Sequence, residues 1–204
     1  MRSHKSLRHK QYGVTMIEVL VTIVIVTIGL LGLAGLQARI QAAEIESYQR
    51  VQAIVLLQDM VDRITANRKQ ATSYGVNVGA GGYNGGAIDN CAAYGAAPAD
   101  LYRRDLCEWN NALLGASETL GSAKLGAMIG GRGCITNPVT TMPYEFVVSV
   151  AWQGLTPTSV PTASTCGQGQ YGTNDAHRRV ISQRVVFSCL QNNAAGIICL
   201  ATTP

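Results

Sequence analysis

Glu18 is the only charged residue in the 23-residue run from Val14 to Leu36, VTMIEVLVTIVIVTIGLLGLAGL. A carboxylate held inside a membrane helix costs about 2.5–3.5 kcal/mol on insertion scales, so this one requires a cationic partner. Hydrolysis of the peptide bond after Gly13 supplies one. The freed amine of Val14 lies one helical turn from Glu18, and in a bundle of such helices a neighbouring chain offers its amine to the same carboxylate, which sets axial register. Two other readings of the segment stay open: a signal peptide removed near Gly32, Leu33 and Ala34, and an uncut signal anchor. A simpler account of Glu18 also stays open, in which it complements the positive end of its own helix or pairs with its own chain's amine.

Sulfur chemistry comes next. Cysteines stand at 91, 107, 134, 166, 189 and 199, an even number without a Cys-x-x-Cys pair, which disfavours zinc and thioredoxin-like roles. An apolar export segment precedes them, so disulfides formed in an oxidising compartment are expected. The short intervening loop makes Cys189 and Cys199 a candidate pair. Cys91, Cys107, Cys134 and Cys166 are expected to pair as well, with their partners left open. No catalytic constellation accompanies them. His177 is the one histidine after residue 13, with Asp175 nearby but no nucleophile in context, so no enzyme activity and no cofactor are expected. Gly79, Gly81 and Gly82 lack the preceding strand and following Lys-Ser/Thr of a phosphate cradle. No loop has the Asp and Asn density of a calcium site, and no metal is expected.

The elements that must position these groups follow from patterning. Four of the 16 basic residues (Arg2, Lys5, Arg8 and Lys10) precede Gly13, leaving 12 against 12 acidic residues, so the net charge of +4 belongs to the first thirteen residues. That basic stretch stays cytoplasmic under the positive-inside rule and the apolar run is long enough to span a bilayer. A neutral remainder lacks the basic footprint of a nucleic-acid binder. Helix-compatible sequence continues to about Arg68, roughly 80 Å at 1.5 Å per residue, more than a small domain needs. Ile40, Val51, Ile54, Leu57, Val61 and Ile64 mark its apolar stripe, and Glu46 with Arg50 and Asp59 with Arg63 read as i,i+4 pairs on a solvated face. Gly29, Gly32 and Gly35 permit close helix approach or local unwinding.

Beyond this helix, a glycine-rich extended connection is predicted from about Gln70 to Ala99, held through Cys91. Asp100 reads as the cap of a helix through Leu101, Leu106, Trp109 and Leu113, with Trp109 in the core. Strands are predicted at Cys134–Val139, Tyr144–Trp152, Val180–Leu190 and Ile197–Leu200, with a loop rich in Pro, Thr and Gly from Gln153 to Asp175. One face of the second strand is expected on the amphipathic half of the long helix. The fold class is α+β, a long N-terminal helix packed on a small antiparallel sheet. The expected organisation is 1–13 cytoplasmic leader, 14–36 membrane or filament-core helix, 37–69 amphipathic half of that helix, and 70–204 disulfide-bonded periplasmic region.

The run Gly13, Val14, Thr15, Met16, Ile17, Glu18, Val19, Leu20 resembles the prepilin motif, in which Gly, an apolar residue, Thr, two apolar residues and Glu open a long hydrophobic helix. The resemblance implies a pilin-like fold in which Gly13 precedes the prepilin peptidase cut, Val14 becomes the N-methylated mature terminus and Glu18 is the assembly glutamate. Val14 stands where the family usually has Phe. Residues 27–37, Asp105-Leu106-Cys107-Glu108-Trp109 and Gly130-Gly131-Arg132-Gly133 are similar to minor pilins of the PilV kind, and Gly35 occupies the neighbourhood where major pilins commonly carry a proline. What this implies is a minor pilin that initiates or modifies assembly of a type IV pilus. Its partners would be prepilin peptidase, the inner membrane and, through the N-terminal helix, other minor and major pilins. The subunit would reside in the inner membrane before assembly and in the surface filament after it. A minor pseudopilin of a type II secretion system and a membrane-anchored periplasmic binding protein are the alternatives.

Overall fold

The computed structural model describes residues 13–75, 90–95, 97–115, 119–120, 123–124, 128–139, 144–193 and 196–201. The basic stretch (Arg2, Lys5, Arg8, Lys10, His4 and His9) and Gly79, Gly81, Gly82, Gly85 and Gly86 lie outside the described residues. The chain divides into two units, Met1–Glu44 and Ile45–Pro204.

Helix α1 runs from Met16 to Ala66. Its β-branched stretch is a poor helix former in water, but in a bilayer only a helix satisfies every backbone group of a single span. The two threonines of this stretch suit such a setting, because the hydroxyls of Thr22 and Thr27 donate to the carbonyls of Val19 and Val24 at 2.8 Å. By length and composition α1 can cross a membrane, and none of its most apolar window is buried within the chain. Gly29, Gly32 and Gly35 are all helical, and a methyl group added at any of them meets nothing within 4 Å.

In the second unit, α1 presents Gln49, Ala53, Leu57, Met60, Val61 and Ile64 to the core. This corrects the predicted stripe: Leu57, Val61 and Ile64 are buried, whereas Ile40, Val51 and Ile54 are 46%, 57% and 50% exposed. The helix carries two apolar stripes, and periodicity merged them. The inward one runs through the small Ala53; Ile45, Tyr48, Val51 and Val55 lie exposed.

After α1 the chain stays helical through a 3-10 turn (Arg68–Gln70) and α2 (Ala71–Gly75), where an extended connection was expected. The reason is Tyr74, which is buried and donates its hydroxyl to Asp105 while accepting from the Asn67 amide at 3.2 Å. A second 3-10 turn, Cys91–Ala93, leads to α3 (Pro98–Leu113). Asp100 is not its cap. The helix starts at Pro98, whose fixed φ suits the first helical position, and Asp100 lies in the first turn, where its charge complements the dipole.

A short hairpin, β1 (Thr119–Leu120) with β2 (Ala123–Lys124), precedes the main sheet of β3 (Arg132–Val139), β4 (Tyr144–Gln153), β5 (Arg178–Asn193) and β6 (Gly196–Ala201). All four main strands are antiparallel in the order β3-β4-β5-β6. On one face Phe146, Val148, Val150 and Trp152 join Ile135 and the helical residues Leu57, Met60, Ile64, Leu106 and Trp109 in the core. Each large side chain buried there contributes about 1.5–3 kcal/mol. Ser149 and Ala151, on the opposite face, are buried too. The loop predicted from Gln153 to Asp175 folds back over them through Cys166, Gly167 and Tyr171.

Candidate functional site

The first candidate site lies at the start of α1. Gly13, Val14 and Thr15 are exposed and non-helical, and the Thr15 carbonyl accepts from the amides of Glu18 at 3.1 Å and Val19 at 3.3 Å, closing the first turn. Glu18 lies in that turn and is exposed. The Gly13–Val14 peptide is therefore presented as accessible, non-helical backbone, the form a peptidase can bind. Four residues on, a carboxylate stands where the helix dipole favours negative charge. From Val14 to Leu36 the side chains are exposed and almost wholly apolar.

Within Ile45–Pro204, polar groups clasp α1 in two places. Glu46 does not take the predicted partner Arg50. Its Oε1 accepts from the Leu155 amide (3.1 Å), the Thr156 amide (3.4 Å) and Arg179 Nη2 (3.1 Å). Burial pushes the Glu46 carboxyl up, but the Thr156 amide, the Arg179 charge and the Leu155 amide outweigh it and hold the group below its ordinary value. At the other clasp, Arg63 makes the expected pair with Asp59 at 3.0 Å and also bonds Asp105 at 3.2 Å and Glu108 of α3. That cluster is half-buried rather than solvated. Burial alone would lower the affinity of the guanidinium for its proton, yet Glu108 and Asp59 raise it. Burial, followed by the bond to Asp105, pushes the Tyr74 phenol up as well.

Both disulfides of the described side chains link elements: Cys91–Cys107 joins the second 3-10 turn to α3, and Cys134–Cys166 fastens the 153–175 segment to β3. Backbone register sets Cys189 directly opposite Cys199. Arg178, only 1% exposed, organises the same segment by donating to the carbonyls of Pro161 (2.6 Å), Ser164 (2.7 Å) and Cys166 (3.1 Å), with Asp175 at 3.4 Å from its Nε. His177 is half-buried, its Nδ1 3.1 Å from the Gly154 carbonyl, and Trp109 is fully buried with its indole N–H donating to the Leu56 carbonyl at 2.8 Å. Among the described residues no three His, Cys, Asp or Glu side chains converge as metal ligands.

Sequence reasoning missed the Glu46–Arg179 and Arg63–Asp105 contacts. An i,i+4 neighbour is visible along one helix, whereas a partner 133 or 42 residues away has no local signal.

An apolar helix opened by a glycine, four further residues and a glutamate, continuing into a disulfide-bonded helix-on-sheet unit, defines a pilin-like α+β protein. Residues 8–34 match the prokaryotic N-terminal methylation motif, and residues 35–107 match the family described as Type IV pilin Tt1218, or Tt1218-like. Together the matches support a type IV pilin or pseudopilin, and the apolar helix and motif fit membrane anchoring and assembly into a pilus. The motif implies processing by prepilin peptidase and assembly with other pilins. No curated protein and no solved structure gives a significant match.

Proposed function

We propose that this chain is a minor pilin of a type IV pilus. Prepilin peptidase cuts between Gly13 and Val14, Val14 is N-methylated, and the span 14–36 holds the subunit in the inner membrane with the globular part in the periplasm. It then carries the subunit into the filament, where the subunit initiates or modifies assembly. In the bundle, Glu18 takes the Val14 amine of a neighbour and fixes register. The observation that carries this reading is the accessible, non-helical Gly13-Val14-Thr15 segment running straight into an apolar helix with Glu18 in its first turn. Support for a minor rather than a major subunit comes from the uninterrupted α1, with Gly35 in place of a kinking proline. The same reading includes a third disulfide, Cys189–Cys199, supported by their opposed register in β5 and β6.

The test is mass spectrometry of the protein purified from its own envelope. The tryptic peptide ending at Arg39 should begin at Val14 and carry one methyl group, and a non-reduced digest should join Cys189 to Cys199. A mature terminus near Gly35, or a chain that keeps Met1, rejects the pilin reading; separate thiols at 189 and 199 reject the third bridge.

A further inference from the structure

The two bridges of the described side chains differ in what can reach them. Cys134 and Cys166 are each 2% exposed, and the cleft beside that bridge, about 250 Å³ between residues 162–166 and strands β3 and β4, admits a small molecule but not the loop that carries another protein's thiol. Arg178 holds the same segment a second time through the carbonyls of Pro161, Ser164 and Cys166. In Cys91–Cys107 the partners are unequal. Cys107 is 2% exposed within α3, whereas Cys91 is partly exposed at the start of a 3-10 turn that buries no residue.

That turn is slight. Asn90, Ala92, Ala93, Tyr94 and Gly95 are exposed, and its hydrogen bonds close on itself: the Ala93 amide donates to the Asn90 carbonyl (3.1 Å), the Tyr94 amide to the Cys91 carbonyl (3.2 Å) and the Ala92 amide to Asn90 Oδ1 (3.2 Å). It is joined to α3 through the bridge and through the Asn111 side-chain amide, which donates to Cys91 Sγ at 3.2 Å. Cys107 and Asn111 stand one helical turn apart on the same face of α3. The helix is anchored elsewhere as well. Leu106, Trp109 and Leu113 are buried, the Trp109 indole donates to the Leu56 carbonyl at 2.8 Å, and Asp105 and Glu108 bond Arg63.

We propose that Cys91–Cys107 is a reversible clasp, opened at Cys91 by the dithiol of a partner protein outside the cytoplasm, while Cys134–Cys166 is permanent. Exposed disulfides are the exchangeable ones, and the sulfur attacked is the one a thiolate can reach. The partner's thiolate bonds to Cys91 Sγ as the Cys91–Cys107 bond breaks; Cys107 leaves with the electron pair and takes a proton from water. The partner's second thiol then attacks the mixed disulfide and releases Cys91, so that two electrons and two protons pass from the dithiol to the bridge. The Asn111 amide offers a hydrogen bond to the released Cys91 sulfur, the nucleophile that closes the clasp again on meeting a disulfide-bearing partner. Opening frees the turn from Cys107 and Asn111, which changes one face of α3 and leaves the core in place. This inference rests on the exported location proposed above.

The experiment exposes the full oxidised chain, in mild detergent without denaturant, to thioredoxin with its reductase and NADPH; thiols are alkylated at intervals and located by peptide mass spectrometry. Cys91 and Cys107 should acquire label at least about tenfold faster than Cys134 and Cys166. A thioredoxin lacking its second active-site cysteine should be trapped on Cys91. Near-ultraviolet circular dichroism of the opened chain, and of a Cys91→Ser, Cys107→Ser chain, should retain the signal of the packed Trp109. Equal labelling rates, no adduct at Cys91, or trapping on Cys107 in its place overturn the assignment; loss of the near-ultraviolet signal on opening overturns the clasp, because the bridge would then be holding the core. In cells quenched with acid before alkylation, part of the population should carry Cys91 and Cys107 as thiols with Cys134–Cys166 intact, and complete bridging of both pairs overturns the use of the clasp in the cell. The N-terminal peptide of the same digest reports processing independently, so failure of the pilin reading and failure of the clasp are separate results.

Discussion

Glu46 illustrates how one side chain is given its job by residues distant in sequence. Its carboxylate collects two backbone amides from just after β4 and a guanidinium from the start of β5, and these contacts depress its pKa. A depressed carboxyl stabilises the fold at pH values above its unfolded pKa and loses that contribution as pH falls through the folded value. Glu46→Gln should therefore cost about 1 kcal/mol at pH 7, a figure limited by the partial exposure of the pair. The cost should shrink as pH falls below the ordinary carboxylate range and through the lowered folded value, where both chains come to carry a neutral side chain. Urea unfolding of the full chain in detergent across that range measures it, and a pH-independent difference contradicts the assignment. The sequence showed Glu46 and Asp59 as charged residues of a helix and assigned each a partner one turn on; Arg63 answered Asp59, but the field of Arg179 drew Glu46 elsewhere.

At the scale of elements, α3 approaches β3 at a position without a side chain. A Cβ built on Gly133 lies 2.0 Å from Cη2 of Trp109, and the ring has no exposed edge toward which to retreat. Gly133→Ala should destabilise the domain by about 3 kcal/mol, at the upper end of ordinary overpacking costs. The midpoint of thermal unfolding followed by near-ultraviolet circular dichroism should fall accordingly; an unchanged midpoint would show that α3 shifts to make room. That α3 and all four main strands exist was legible from apolar spacing and alternation, although the cap assigned to Asp100 was not the true start of α3. That Trp109 and Gly133 meet was not, because only the folded sheet brings positions 24 residues apart into contact. Alternation also left open what becomes of the back of β4, where the irregular segment around Cys166 and Tyr171 covers Ser149 and Ala151.

For the whole molecule, the decisive group is one that the single chain leaves without work. Glu18 is exposed beside the Gly13–Val14 bond in an otherwise apolar span. In the assembly proposed above, an amine from a neighbouring subunit would justify its place in a helix bundle, since an unpaired carboxylate in that setting costs about 2.5–3.5 kcal/mol. Glu18→Ala should leave cleavage and membrane location intact while lowering recovery of the subunit in sheared filaments at least about tenfold, equivalent to ~1.4 kcal/mol of lost assembly free energy. Quantitative immunoblotting of membrane and filament fractions decides it, and parental recovery would remove the register argument.

What the linear chain determined by itself was set by local chemistry: a span of apolar residues must be helical in a bilayer, a glycine and a glutamate flank its start, and an even set of cysteines without a Cys-x-x-Cys pair favours disulfides over metal. Those properties depend on neighbours within a few residues or on the solvent, so they survive without knowledge of the fold. Tertiary structure decided which of two stripes on α1 faces inward, that Cys91 pairs with Cys107 and Cys134 with Cys166, and that Arg178 and Arg179 pin an uncharged segment over the sheet. Each of these is a choice among contacts of similar local merit, and packing many of them at once into one core is what selects between them.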